Sequence, residues 1–307
     1  MDKTYFTNTN IKQQKGFALM ITLSVLMVLI SLTMVLLGYF KKVQHDAKDT
    51  TAMIQADVYY ADITDTFGRF KNKKTLFSTL YLFPVSLRSP DGRFAMSLRC
   101  QALSRGVNIN WLGMEEKQNM REAYSFAQTV FDTVAQDYNI EDASRLLEML
   151  LEEIGGKKQF VKKEYSRLRQ KNGIISYKQF AQIVSNYQME VDDTKVSRIP
   201  WRKYFTFSKD AKVIDAEYSS AELISLLFDV DVQSVKEWQS DPERSSLQAF
   251  VRENSGDYAA RKKIIAGNTF LAESECTVAY KSSAERYKFR FEYIQGEAKH
   301  FEFYKKN

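Results

Sequence analysis

Residues Phe17 to Phe40 read FALMITLSVLMVLISLTMVLLGYF, 24 positions without one charged side chain. Only Thr22, Ser24, Ser31, Thr33 and Gly38 interrupt the apolar surface. As a helix rising 1.5 Å per residue, the stretch spans about 36 Å, against a bilayer core about 30 Å thick. No other window comes close. The expectation is one membrane crossing over 17–40, with everything after Phe40 in a single aqueous compartment.

Outward on the N-terminal side lies a polar leader, Met1 to Gly16, with Lys3, Lys12 and Lys15 against Asp2. A secretory signal peptide has a shorter apolar run, about 7–15 residues, and then a small-residue cleavage site; the leader has neither. Two readings stay open: an uncleaved anchor, or cleavage before the apolar run, between Gly16 and Phe17. Lys41, Lys42 and Lys48 balance the leader lysines, so charge bias does not choose between them. On the other side, 41–67 contains neither proline nor glycine. Val43, Ala47, Ile54, Val58 and Ala61 recur there at spacings near three or four, an amphipathic helical pattern. One helix is therefore predicted over 17–67, about 75 Å long. Its first half sits in lipid, and its second half lays that stripe on the strands that follow.

The rest has a globular composition, 44% hydrophobic, 27% charged and 13% aromatic. A net charge of +6, part of it in the leader, is weak grounds for an acidic partner. Cys100 and Cys276 have no metal-binding spacing. Catalysis finds little support. There is no GxGxxG, GxSxG or HExxH, Gly156-Lys157 lacks the upstream glycine of a phosphate loop, and His45 and His300 are the only histidines. A non-enzyme is expected.

Taken in order, Leu76 to Leu87 is predicted as a strand, placed at an edge by Pro84, and Asp91-Gly92 as the turn into a strand over Arg93 to Leu103. Phe94, Met96, Leu98 and Cys100 share one face of it. Helices follow: Glu115 to Asn139, then Asp142 to Ile154, stopped by Gly155-Gly156. Capping boxes at Ser176 with Gln179 and at Ser219 with Glu222 start two more, and Asp241-Pro242 a further one. From Phe270 period two returns. Cys276, Val278 and Tyr280 share a face; Tyr287, Phe289, Phe291 and Tyr293 alternate with Lys288, Arg290 and Glu292; Phe301 and Phe303 follow the turn Gln295-Gly296. The fold class is α+β, a long N-terminal helix packed on an antiparallel sheet that is interrupted by a large inserted all-α domain. The segments are a leader (1–16), the helix (17–67), the first part of the sheet (68–110), the helical insert (111–268) and the C-terminal strands (269–307).

Three features carry a resemblance. Lys15 to Leu32, KGFALMITLSVLMVLISL, has the form of a prepilin processing region. Arg105-Gly106-Val107-Asn108-Ile109-Asn110 is similar to a Gly-x-Ile-Asn-x-Asn segment. The order helix, strands, helical insert, strands covers essentially the whole chain. On these the chain resembles the type II secretion system protein K family (general secretion pathway protein K), the large minor pseudopilins. One family segment rich in asparagine corresponds here to Val213–Glu217, which has none.

The resemblance implies a pilin-like sheet and cleavage between Gly16 and Phe17 by prepilin peptidase. It implies a single inner-membrane crossing, with the N-terminus cytoplasmic before processing and the ectodomain periplasmic. It also implies a non-catalytic place at the pseudopilus tip, with other minor pseudopilins and the major pseudopilin as partners, supporting export across the outer membrane. Most pilins have glutamate at the fifth mature position; here that position is Ile21, which fits a subunit with no acid to offer another above it. Calcium is implied for the insert, with Asp192, Asp193, Asp229, Asp231 and Asp241 as weak candidates against ordinary surface carboxylates; no other cofactor is expected. In an oxidising periplasm Cys100 and Cys276 either bond or remain two buried thiols. A minor pilin of a type IV pilus or DNA-uptake system would share the anchor. It would use the basic stretch Lys157, Lys158, Lys162, Lys163, Arg167, Arg169 and Lys171 as a nucleic-acid surface; the pseudopilin reading expects no nucleic acid and takes that stretch as a solvated face. The third reading is an uncleaved membrane-anchored binding module.

Overall fold

A computed structural model of the chain describes residues 10–90, 95–155, 173–208, 210–267, 269–282 and 285–305. The leader residues before Asn10, the turn Asp91-Gly92 and the basic stretch from Lys157 to Lys171 lie outside them. Two compact units are distinguished, Met1–Ile63 and Thr64–Asn307.

Helix α1 runs from Asn10 to Arg69, 60 residues, or about 90 Å. It starts before the expected Phe17 and passes through Gly16 without a break, because nothing in 10–16 stops a helix once the apolar run propagates one. One stretch of it is long and apolar enough to cross a membrane. Beyond that stretch the periodicity is right and the predicted face is wrong. Val43, Ala47, Ile54, Val58 and Ala61 are exposed, while Ala52, Ala56, Ile63 and Phe67 are buried. Both sets repeat every three to four residues, and alanine shows too little apolar surface to stand out beside isoleucine and valine.

In the second unit, the last turn of α1 is stopped by Lys73, whose ammonium donates to the carbonyls of Phe67 and Gly68. Asn72 then caps α2 (Lys73–Leu82), accepting from the Thr75 N–H at 3.0 Å. This corrects the strand expected from Leu76. Phe77 and Leu80, three residues apart, are the buried pair, which is a helical spacing. Extended chain begins only after Pro84, as the edge strand β1 (Val85–Arg88).

The sheet is five-stranded and antiparallel, in the order β1, β2 (Ala95–Ala102), β5 (Glu273–Ser282), β6 (Glu285–Ile294), β7 (Glu297–Lys305). β2 pairs directly with β5 although 170 residues separate their ends, with Cys100 opposite Cys276. Gln295 and Gly296, both at positive φ, make the two-residue turn between β6 and β7. The aromatic face carries Cys276, Val278, Tyr280, Tyr287, Phe289, Phe291 and Tyr293, all buried. Phe67 and Phe77 pack edge-on, and both meet Tyr293 at 5.4 Å.

Between β2 and β5 lie β3 (Val107–Asn108), α3 (Arg121–Asp137), α4 (Ala143–Ile154), α5 (Tyr177–Val191), β4 (Phe205–Thr206), α6 (Ala221–Phe228), α7 (Val232–Ser240) and α8 (Leu247–Glu253). The segment is therefore not purely helical: β3 and β4 form a short parallel pair. Ser176 caps α5 as expected, Asp142 proves to be the cap of α4 rather than its first residue, and Gly155 ends α4 in the left-handed region. The cap of α6 is Ser220 rather than Ser219, whose hydroxyl is used by the Asp215 carbonyl. Asp241-Pro242 starts no helix. Asp241 closes α7 and turns the chain by accepting from the Glu243 N–H, and Ser246 caps α8. A single aromatic-rich core, including Phe126, Phe180, Trp201 and Phe250, joins these elements.

Candidate functional site

The apolar half of α1 presents an almost wholly apolar surface. Its four serine and threonine hydroxyls turn inward to its own carbonyls: Thr22 to Leu19, Ser24 to Met20 and Ser31 to Met27 at 2.9 Å, and Thr33 to Leu29. Apart from the exposed Tyr39 near its end, the stretch thus turns its hydroxyl donors back on its own backbone, as an apolar medium favours. Every side chain described from Phe17 to Phe40 is exposed, Ile21 among them. Gly16 lies within the helical backbone next to Phe17.

Gly106, Asn108 and Asn110 act as a latch. A Cβ on Gly106 would stand 2.5 Å from the Phe205 carbonyl carbon, so only glycine lets β3 lie against β4. Asn108 donates to the Ala211 carbonyl at 2.8 Å and accepts from Asn110. Asn110 brackets Ile174, donating to its carbonyl at 2.8 Å and accepting from its N–H at 2.7 Å. Two buried amides thus fix loops that are far apart in sequence.

Cys100 and Cys276 form a disulfide with a Cα separation of 4.1 Å, at the centre of the β2–β5 ladder. The calcium candidates are not gathered into one site among the described residues. Asp193, fully buried, accepts from the N–H groups of Glu141 and Lys195. Asp192 and Asp229 end α5 and α6 at positive φ, and Asp231 caps α7. Asp193 thus ties the start of α4 to the end of α5, and the others sit at helix ends.

The group that sequence reasoning missed lies on the other face of the sheet. Arg290, almost fully buried, stands 3.6 Å from Glu275, 3.5 Å from Glu292 and 4.0 Å from Glu302. Glu275 also receives Gln101 at 3.1 Å and Arg202 at 3.3 Å. Glu292 accepts from Ser208 at 3.0 Å, and burial pushes its carboxyl up to about 6. A β-bulge opposite 290–292 puts His300 at a φ of 54°, so its imidazole reaches Asp210 at 3.1 Å. Asp210, Glu292 and His300 bring ligand atoms within 4.8 Å of one another and are the group fit to hold a divalent cation. The Arg290 guanidinium opposes such an ion. As arranged, the network ties 202–210 to β5, β6 and β7. The sequence signal was the alternation of Arg290 and Glu292 with aromatics, but alternation does not say whether the charged face meets water or another segment. No protein-family model matches the chain, and no curated protein matches it.

Proposed function

We propose that the chain is a minor pseudopilin of a type II secretion system, a non-catalytic subunit at the pseudopilus tip that supports assembly and export. The observation that carries this reading is the continuity of α1. An apolar stretch passes without proline or a loop into the rest of the helix, whose last turns carry Phe67 among Phe77, Phe291 and Tyr293. An anchor that merely tethers a domain normally breaks into a linker at the membrane, whereas pilin-like subunits carry an unbroken helix past it. The apolar run packs with the helices of other pseudopilins in the inner membrane, and the pilin-like sheet with its helical insert stands in the periplasm. The missing acid at Ile21 and the bulk of the insert both disfavour a further subunit above this one.

The test is the mature N-terminus, determined by mass spectrometry after co-expression with prepilin peptidase. A chain beginning at Phe17 is expected; one that keeps Met1 to Gly16 sinks the reading in favour of an anchored binding module. Filament length then tests tip placement. With the major pseudopilin overproduced, deleting Trp111 to Ala260 lengthens filaments in electron micrographs, and unchanged length refutes capping by bulk.

A further inference from the structure

Beside the latch lies a concavity, about 320 Å³ in volume, lined by Arg105, Tyr177, Trp201, Arg202, Lys203 and Tyr218 among others, with no carboxylate among the described residues of its wall. Two of its three cations already have partners outside the lining: Lys203 meets Glu222 at 2.6 Å, and one nitrogen of Arg202 meets Glu275 at 3.3 Å. Arg202 also lies 4.3 Å over the Tyr177 ring, which holds its plane and leaves further N–H groups available. Arg105 differs. Among the described residues it forms no ion pair, although it is half-buried; the removal of water, reinforced by Arg202, lowers its pKa, while Glu275 opposes the shift.

The backbone around Arg105 is clamped. The Ser104 carbonyl accepts from the Asp215 N–H at 2.7 Å, Gly106 is jammed against Phe205, and the Val107 N–H donates to the Tyr204 carbonyl at 2.8 Å. The floor is equally fixed, since the buried Trp201 donates its indole N–H to the Val196 carbonyl at 3.1 Å. The segment similar to Gly-x-Ile-Asn-x-Asn is thus also the mount for a positioned guanidinium with no ion pair among the described residues. Holding such a charge partly out of water with only the more distant Glu275 to balance it is unfavourable, and a planar anion accepting from Arg105 and Arg202 offsets that cost.

We infer that this pocket is a binding site for the carboxylate of an acidic side chain presented by a partner polypeptide. Its volume is at the lower end for small-molecule sites, enough for one or two side chains rather than a large cofactor. Tyr177, Trp201 and Tyr218 supply apolar contact for the methylenes next to the carboxylate. The inference stands apart from the pseudopilin reading and does not depend on it.

The test uses the full chain in detergent micelles and a fluorescein-labelled peptide of alternating glutamate and glycine, followed by anisotropy at low salt. Saturable binding is expected, weakened at least tenfold by Arg105→Gln and by Arg202→Gln, and unaffected by Lys71→Gln far along the chain. Circular dichroism confirms that each variant is folded. A measurement on the unaltered protein runs in parallel: modification of Arg105 by phenylglyoxal, mapped by mass spectrometry, is slowed by glutarate and by the peptide. Equal binding by the wild type and both arginine variants overturns the inference, as does an absence of peptide binding together with unprotected Arg105. Displacement of the peptide by inorganic phosphate at concentrations where glutarate has no effect overturns the carboxylate assignment.

Discussion

The two faces of the five-stranded sheet are built by opposite means. One carries Phe289, Phe291, Tyr287 and Tyr293 and is covered in part by α2 and Phe67. The other carries Glu275, Arg290, Glu292 and Glu302 and is closed by the segment around Arg202 and Ser208. Burial on the first gains free energy with each methylene removed from water. On the second, each buried charge costs desolvation that ion pairing only roughly offsets. The aromatic face therefore supplies stability, and the charged face supplies register, because its carboxylates are satisfied in one arrangement only.

The largest effect that would sharpen this contrast is loss of the bond between Cys100 and Cys276, which closes a loop across 176 positions. Replacing both by serine should lower stability by up to about 5 kcal/mol in denaturant titrations, since a loop of that length loses much entropy on closure. The unaltered chain, denatured without reductant, should show no free thiol. Next comes Phe291→Ala on the same face, a fully buried ring against Phe67 and Phe289. A loss of about 4 kcal/mol is expected from transfer and cavity together; a loss below about 1 kcal/mol would mean the aromatic face is not the stabilising one.

On the charged face, Arg290→Met removes the cation shared by three carboxylates and should cost about 3 kcal/mol. Adding Glu292→Gln should recover part of that loss, whereas strict additivity would break the picture of a single network. The smallest effect concerns Asp215, beside Glu273 at the start of β5. Burial, with Glu217 and Glu273 adding, pushes its carboxyl up to about 7 from 3.8. The folded state therefore holds the proton more tightly than the unfolded one. Nothing is lost below the unfolded value, stability falls as pH rises from about 4 through 7, and the full penalty stands above that. Asp215→Asn should leave stability at pH 4 nearly unchanged and raise it by about 2 kcal/mol at pH 8, water penetration having reduced the nominal shift. Equal effects at both pH values would refute a titrating role.

The apolar run at 17–40, the α+β order and the aromatic rows of β5 and β6 were legible because each is a local pattern at a fixed period, and burial of one face follows from solvent alone. The cap at Ser176 was legible for the same reason: capping involves residues three apart. Legibility ended wherever a distant segment chose the outcome. Leu76 to Leu82 alternates well enough for a strand, yet Asn72 and the helical spacing of Phe77 and Leu80 make it α2. Two stripes on α1 share one period, and only the folded chain decided that Ala52 and Ala56 are buried while Ile54 and Val58 are exposed. Likewise Arg105, Asp210, Arg290, Glu292 and His300 carry no motif. Sequence fixes which side chains can be charged, whereas Glu292 meets Ser208 across 84 residues of chain and His300 meets Asp210 across 90, distances over which no local pattern holds.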